Sequence, residues 1–590
     1  MLFILKLNSS TFESVVKHLN AQQYANAAST SKALREVLTG NVQNVNVSFM
    51  QGNKVINDIM RNRKNVFLTG GAGVGKTHTA NRLKKFALEQ RWNVDMCCLT
   101  GMGASQLEEG VTLHNWAGLG CFVTLDSLKK RCERSKKNTC PISTRGWKRT
   151  DLLIVDEVSM LSEKLLEVLE WISKTFVPER SPFLYQMGNK LLPNGRPERT
   201  IVVFCGDFFQ LQPVGGKHCF LSPAWSNLNL ETHELNSNVR QDQDIMYSQL
   251  LNRIRVGEMT KNDLNLLQRR AKLWGSKLGI TITDPKASAA SKKEIIAPQL
   301  SSSALSARHL QVITSLQSKK FPESTEQFLE QKPFFLPVFL FAKHKQVMEL
   351  NQRMYDSTPP GLSSTFVARD RYHLLVRQPG GITTTIPINP NQLSNYVKAT
   401  RLEYAENCLE KRVPKVVNLK NGCQYIVTRN MDTKQKIVND LRCKYFNNAF
   451  YIQQPGSETP CIIPIDFRHH VCTGVFHVQD GVYIVREQIP LKLGYAVTIH
   501  SSQGTTLDET FVDLTGVFTA GQSYVALSRV KTLSGLYLWG VENKYFKVSE
   551  EVKHFYTSSR KNNNNNNKRK RETETESICN KKLKSRYLIR

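Results

Sequence analysis

Asn65–Thr77 reads NVFLTGGAGVGKT, a short apolar run that passes directly into Gly70-x-x-x-x-Gly75-Lys76-Thr77. Glycines at that spacing let the backbone curl until successive N–H groups point inward, a nest for phosphate oxygens. The helix-prone HTANRLKKFALEQ that follows adds a positive N-terminal end. Gly70, Gly71, Ala72, Gly73, Val74, Gly75, Lys76 and Thr77 are therefore the expected phosphate cradle. In such a loop the lysine reaches the β- and γ-phosphates and the hydroxyl of Thr77 ligates magnesium, so ATP and Mg2+ are the expected cofactors. An apolar strand before the glycines and a helix after them separate this stretch from an ordinary glycine-rich turn.

Working outward, Leu152–Met160 (LLIVDEVSM) is a second buried-strand run, ending in paired carboxylates. Two adjacent acids alone are usually a solvated turn; at a strand's carboxyl end, downstream of a phosphate loop, they point to hydrolysis. Asp156 is expected to hold the magnesium shell opposite Thr77, and Glu157 to polarise the attacking water. A third strand, Ile201–Cys205, leads into GDFFQLQPV, where the amide of Gln210 can bond both a γ-phosphate and the lytic water. Taken alone, that loop reads as a polar turn with an aromatic pair in preference to a sensor.

These three segments, in this order, resemble the nucleotide motifs of the Pif-type, RecD-like branch of superfamily 1B helicases. CLTGMGASQL with VTLHNWAGLG (Cys98 to Gly120), LNSNVRQ (Leu235 to Gln241), LKNGCQYIVTRN (Leu419 to Asn430), YAVTIHSSQGTTL (Tyr495 to Leu507) and GQSYVALSRV (Gly521 to Val530) extend the resemblance over most of the chain. It implies two RecA-like P-loop domains with parallel sheets, a small β-rich insertion in the second, and a 5′-to-3′ DNA helicase driven by ATP. The implied pathways are replication, repair, recombination or telomere maintenance. The alternative from another class is a nucleic-acid-stimulated NTPase switch or nucleoprotein remodeller.

The resemblance also implies residue roles. Arg240 and Arg529 become arginine fingers, one from each half, with Lys76, Glu157 and Gln210 completing the catalytic set. Gln51 is the candidate adenine reader, on flanks that match the family poorly, and Gly504 is placed with the nucleotide. Thr112, His114, His500, Ser502 and Gln503 are expected to face a nucleic-acid strand through hydroxyl, imidazole and amide groups that bond phosphates without reading bases. Trp116 and Phe209 read either as base-stacking aromatics or as core. One departure is clear: Ser501 stands where motif V usually has lysine.

Composition fits this picture. The 590 residues exceed one ordinary core, and the formal charge is +30. Residues 560–590 hold eleven Lys or Arg against three Glu, which leaves about +22 on the rest, the balance expected of a polyanion partner. Single-stranded and forked DNA head the expected partners, with an RNA:DNA hybrid behind them. No apolar run is long enough for a bilayer, so no membrane association is expected. Thirteen cysteines without a C-x-x-C indicate free thiols; Cys121, Cys132 and Cys140, and the His469, His470, Cys472 cluster, lack zinc-ligand spacing.

The expected organisation is a small helical N-terminal region (1–48) that reads as a cap or a protein-docking element, a first unit over 49–274, and a linker or insertion over 275–333. A second unit over 334–558 carries a β insertion at about 430–488, and a disordered basic tail occupies 559–590. Lys568–Arg571 and Lys581–Arg586 read as a paired nuclear-import signal or a non-specific grip on nucleic acid, so the expected location is the nucleus or a viral replication site, and otherwise the cytoplasm. The stretch Val177 to Arg199 has no assignable role.

Overall fold

The computed structural model describes residues 43–277 and 327–560, apart from short stretches within them. Expectations for residues 1–42, 278–326 and 561–590 lie outside the described residues, as do those for Cys121, Cys140, His469 and His470.

The first half is a six-stranded sheet of β1 (Val66–Gly70), β2 (Val94–Cys98), β3 (Val111–Thr112), β4 (Leu152–Asp156), β5 (Ile201–Gly206) and β6 (Glu231–Leu235), in the order β3-β2-β4-β5-β1-β6. Every pairing is parallel. β1, β4 and β5 are buried along their whole length, the pattern of strands covered on both faces. Side chains alternate between two cores. Phe67, Leu153, Val155, Val202 and Phe204 enter one; Val66, Leu68, Leu152, Ile154, Ile201 and Val203 enter the other. The parallel direction puts the carboxyl ends of β1, β4 and β5 on one edge, where ligands of open α/β sheets bind.

The second half is built on a smaller parallel sheet, ordered Ala496–Thr498, Val338–Phe341, Thr510–Asp513, Leu536–Trp539. One face packs Phe339, Phe341 and Phe511 against the helix His344–Ser357. The other packs Leu340, Val512 and Leu538 against Leu250, Leu251, Ile254 and Leu267. Those last four belong to helices Ile245–Val256 and Lys261–Lys277, so two helices assigned by sequence to the first unit are core elements of the second.

The β-rich insertion is also larger than 430–488. Its strands run from Ser363–Val367 to Leu491–Leu493 and form two antiparallel sheets of four and five strands with a separate two-stranded ribbon. Arg486 is fully buried there between Asp370 and Glu410, at 2.7 and 2.8 Å. The first of these strands, Ser363–Val367, alternates exposed with half-buried positions and has no buried run to set it apart from the second unit.

The end of the second unit returns to the first. Residues 550–560 form a helix that leaves the second unit and packs Val552 and Tyr556 into the core of the first sheet, so its last residues are ordered helix up to Arg560. The segment Val177 to Arg199 is pinned at its base: Arg180 Nη2 and Arg196 Nε each donate at 2.7 Å to the buried carboxylate of Asp151, just before β4.

Candidate nucleotide site

The phosphate loop sits between β1 and the helix Lys76–Glu89. Gly70 and Gly73 have φ of 138° and 80°, and close approach adds a second constraint: a Cβ on Gly70 would lie 2.3 Å from the Leu235 carbonyl, and one on Gly73 2.5 Å from Arg240 Cβ. Lys76 Nζ donates to the carbonyls of Gly70 and Gly71, both at 2.8 Å, so the buried ammonium closes on its own loop. Burial lowers its pKa, opposed by the charges of Asp207, Glu157 and Asp156.

Thr77 Oγ1 donates to Asp156 Oδ2 at 2.7 Å, which brings the two expected magnesium ligands together. Hard oxygen donors at this spacing suit Mg2+. Burial and the neighbouring Glu157 raise the Asp156 carboxyl to about 6. Glu157 has φ of 53°, a left-handed conformation at a non-glycine residue. Its Oε2 accepts from Gln503 Nε2 at 3.0 Å, a bond that joins the two halves of the chain.

A cleft of about 760 Å³ is lined by Ala72, Gly73, Gly75, Lys76 and Thr77, by Asp156 and Glu157, by Gln210, by Arg240 and Arg529, and by Gln503 and Gly504. Arg240 comes from the segment after β6, held against the phosphate loop by Val239 N–H donating to Gly73 O at 2.8 Å. Its Nη1 donates to Ser528 O at 3.0 Å, and Gln241 Nε2 to Val530 O at 2.8 Å. Arg529, 1% exposed, follows the helix Gln522–Leu527 and bonds Val525 O at 2.8 Å and Ser528 Oγ at 2.8 Å. Among the described residues neither arginine has a carboxylate partner within salt-bridge distance. Burial and then the adjacent Arg240 push the Arg529 guanidinium down to about 9, and burial lowers Arg240 as well. Two buried cations with no carboxylate in contact, drawn only at longer range by Glu157, stand beside the phosphate loop where a polyanion can pair with them.

Not every expected residue lies here. Gln51 stands outside the cleft lining, its Oε1 accepting from Asn236 N at 3.2 Å. Val74 turns into the core. Ser502, expected to face nucleic acid, is buried and donates to Ile499 O at 2.8 Å. Gln503, expected there too, faces Glu157 across the cleft instead. Both follow from the tight turn after Ile499, which directs residues 502 and 503 toward the seam between the halves.

His500 lies on the cleft rim, 6.1 Å from the ring of the exposed Phe518. Thr112 accepts from Asn115 N at 3.3 Å, and His114 is half-buried with its pKa lowered by burial. Trp116 packs on Trp147, and Phe209 is buried against Tyr556, so both aromatics are core. Ser501 shares a hydroxyl hydrogen bond with Thr498 at 2.8 Å. The sequence reading missed Tyr524, whose hydroxyl accepts from Ala72 N at 2.7 Å, and the buried pair Arg255–Asp207 at 2.9 Å. Tyr524 lies inside GQSYVALSRV and Asp207 inside GDFFQLQPV, but which distant segment each meets has no local signature.

Two parallel sheets facing one another over a phosphate loop, with an arginine from each half on the cleft, define a tandem RecA-like P-loop protein. Residues 50–265 match the family model described as PIF1-like helicase. The chain is 26% identical over 516 residues to the ATP-dependent DNA helicase PIF1 of Danio rerio, covering 84% of this chain and 62% of that protein. It is 27% identical over 524 residues to the ATP-dependent DNA helicase RRM3 of Saccharomyces cerevisiae, covering 86% and 67%. The solved structure of the Pif1 helicase from Candida albicans shares the fold, with a TM-score of 0.59 at 24% identity over 86% of this chain and 98% of that one. The chain is thus similar to PIF1-like helicases, through the family model in its first half and through these relatives over most of its length. It spans less than two thirds of the length of the Danio rerio relative.

Proposed function

We propose that this chain is an ATP-dependent DNA helicase that translocates 5′-to-3′ on single-stranded DNA and unwinds forked duplex. The observation that carries the proposal is the shared cleft: the phosphate loop and Arg240 from one half, Arg529 and Gln503 from the other. A nucleotide held between two halves can bias how they sit relative to each other, which is what coupling hydrolysis to movement requires. The names of its relatives agree with this reading.

The residues divide the work. Lys76 exchanges the carbonyls of Gly70 and Gly71 for phosphate oxygens, with loop N–H groups around them. Thr77 and Asp156 hold the magnesium, which when bound neutralises phosphate charge. Glu157 orients and polarises the attacking water. Because Gln503 donates to its carboxylate, the base is oriented only when the second half is correctly seated. Gln210 reports on the γ-phosphate, and Arg240 and Arg529 stabilise the charge that develops on the transferred group. His500 with the exposed Phe518, and Thr112 with His114, contact the threaded strand. The basic clusters after residue 567 direct the protein to the nucleus.

The test is a pair of labelled forks with ATP and magnesium. A fork with a single-stranded 5′ tail is unwound and one with only a 3′ tail is not; an RNA:DNA hybrid run beside them reports the second substrate. ATP hydrolysis stimulated by DNA without separation of the 5′-tailed fork would replace the helicase with a nucleic-acid-dependent NTPase switch.

A further inference from the structure

The loop that carries Gln210 is held from both sides by the far end of the chain. On one side Gly521, ahead of the helix Gln522–Leu527, packs so closely that a Cβ there would lie 2.5 Å from the carbonyls of both Phe209 and Gln210. On the other side stands Tyr556, on the helix of residues 550–560. Its ring stacks flat on Phe209, centroids 4.8 Å apart and planes 9° from parallel. Its hydroxyl accepts from Phe208 N at 3.2 Å and shares a hydrogen bond of 2.7 Å with Thr69 Oγ1, one residue before the phosphate loop.

The same corner is locked further. Arg255 lies over both rings, at 4.8 Å from Phe209 and 5.6 Å from Tyr556, while forking onto Asp207 with two bonds of 2.9 Å. Phe555 stacks on Phe220 at 4.4 Å, and Arg560 pairs with Glu234 at 2.9 Å. One phenol thus joins the strand that ends in the phosphate loop to the backbone of the loop bearing the γ-phosphate sensor. Tyr556 is 4% exposed and belongs to none of the nucleotide motifs.

We infer that Tyr556 is a positioning residue of the nucleotide site: through Phe208 and Phe209 it sets where the Gln210 amide stands relative to the phosphate loop. The inference rests on the proposed ATP hydrolysis. A sensor amide must meet the γ-phosphate and the water within a few tenths of an ångström, and a loop bonded on one side by Tyr556 and packed on the other by Gly521 has that rigidity. The terminal helix is therefore part of the catalytic apparatus although it touches no nucleotide.

The test uses the full chain with Tyr556→Phe, which keeps the ring and removes the hydroxyl's bonds to Thr69, Phe208 N and Asp207, and Tyr556→Leu, which removes the stack as well. Each is combined with Gln210→Ala. DNA-stimulated kcat for ATP falls roughly tenfold in Tyr556→Phe and further in Tyr556→Leu, with KM for ATP within about twofold. In the Gln210→Ala background neither Tyr556 change lowers kcat further, because the group being positioned is gone. Amide exchange at residues 208–210 speeds up in both variants while that of the strand Leu152–Asp156 is unchanged. The inference is overturned if both variants turn over ATP at the wild-type rate, or if their losses multiply with that of Gln210→Ala, as a general loss of folded protein would. A wild type that hydrolyses no ATP refutes the underlying function instead, and leaves no sensor for Tyr556 to position.

Discussion

Arg529→Met separates a functional arginine from a structural one. Burial beside Arg240 holds the Arg529 guanidinium down to about 9, which makes its charged form costly in the nucleotide-free fold by roughly 4–5 kcal/mol. Against that stand its hydrogen bonds to Val525 O, Ser528 Oγ, Ser502 O and Thr505 O, the last two long at 3.4 Å. At about 2 kcal/mol for each of the two short bonds, made by a charged group, with little from the long ones, they contribute roughly 4 kcal/mol. The two effects nearly cancel. Methionine, of similar length and uncharged, should therefore leave the nucleotide-free melting temperature within about 4 °C of wild type. Turnover behaves otherwise: removing a cation aimed at the transferred phosphate lowers kcat by about 10³ or more, with KM changed only a few-fold. The assays are thermal melting without nucleotide and steady-state ATP hydrolysis with single-stranded DNA. A fall in melting temperature above about 10 °C, with kcat per folded molecule intact, would refute the reasoning and make Arg529 a structural brace.

Lys76→Ala removes the phosphate-seeking ammonium, so nucleotide-dependent thermal stabilisation and hydrolysis should both disappear while the nucleotide-free melt is preserved; retained hydrolysis contradicts the assigned cradle. Glu157→Gln keeps the shape beside Gln503 but removes the base, so ATP and DNA still bind while kcat drops at least about 10²-fold, measured by single-turnover hydrolysis. Normal turnover in that variant would assign the base elsewhere. His218 supplies a pH prediction away from the cleft. It is stacked on Phe220 at 5.1 Å, and burial lowers its pKa to about 4. The unfolded chain, with its histidine near 6.5, takes up the proton first, so stability is full above about pH 6.5 and is lost as pH falls toward 4, by up to about 3 kcal/mol. Urea midpoints across that window should flatten in His218→Phe; an unchanged slope excludes His218 as the source.

The amino-acid sequence by itself determined the chemistry that is contiguous along the chain. A phosphate loop needs its glycines, lysine and threonine within eight residues, and Asp156 with Glu157 needs only one strand's end, so local spacing carries the information. Unbroken apolar runs marked the buried strands of an α/β fold, and the family resemblance implied that the sheets are parallel. The tertiary structure decided everything that depends on segments meeting across the fold. It turned Gln503 toward Glu157, put the helices Ile245–Val256 and Lys261–Lys277 on the second sheet, and returned Tyr556 to the first. The physical reason is that a contact between residues hundreds of positions apart leaves no periodicity or spacing in either segment; buried polar atoms find their partners only once both sheets are in place.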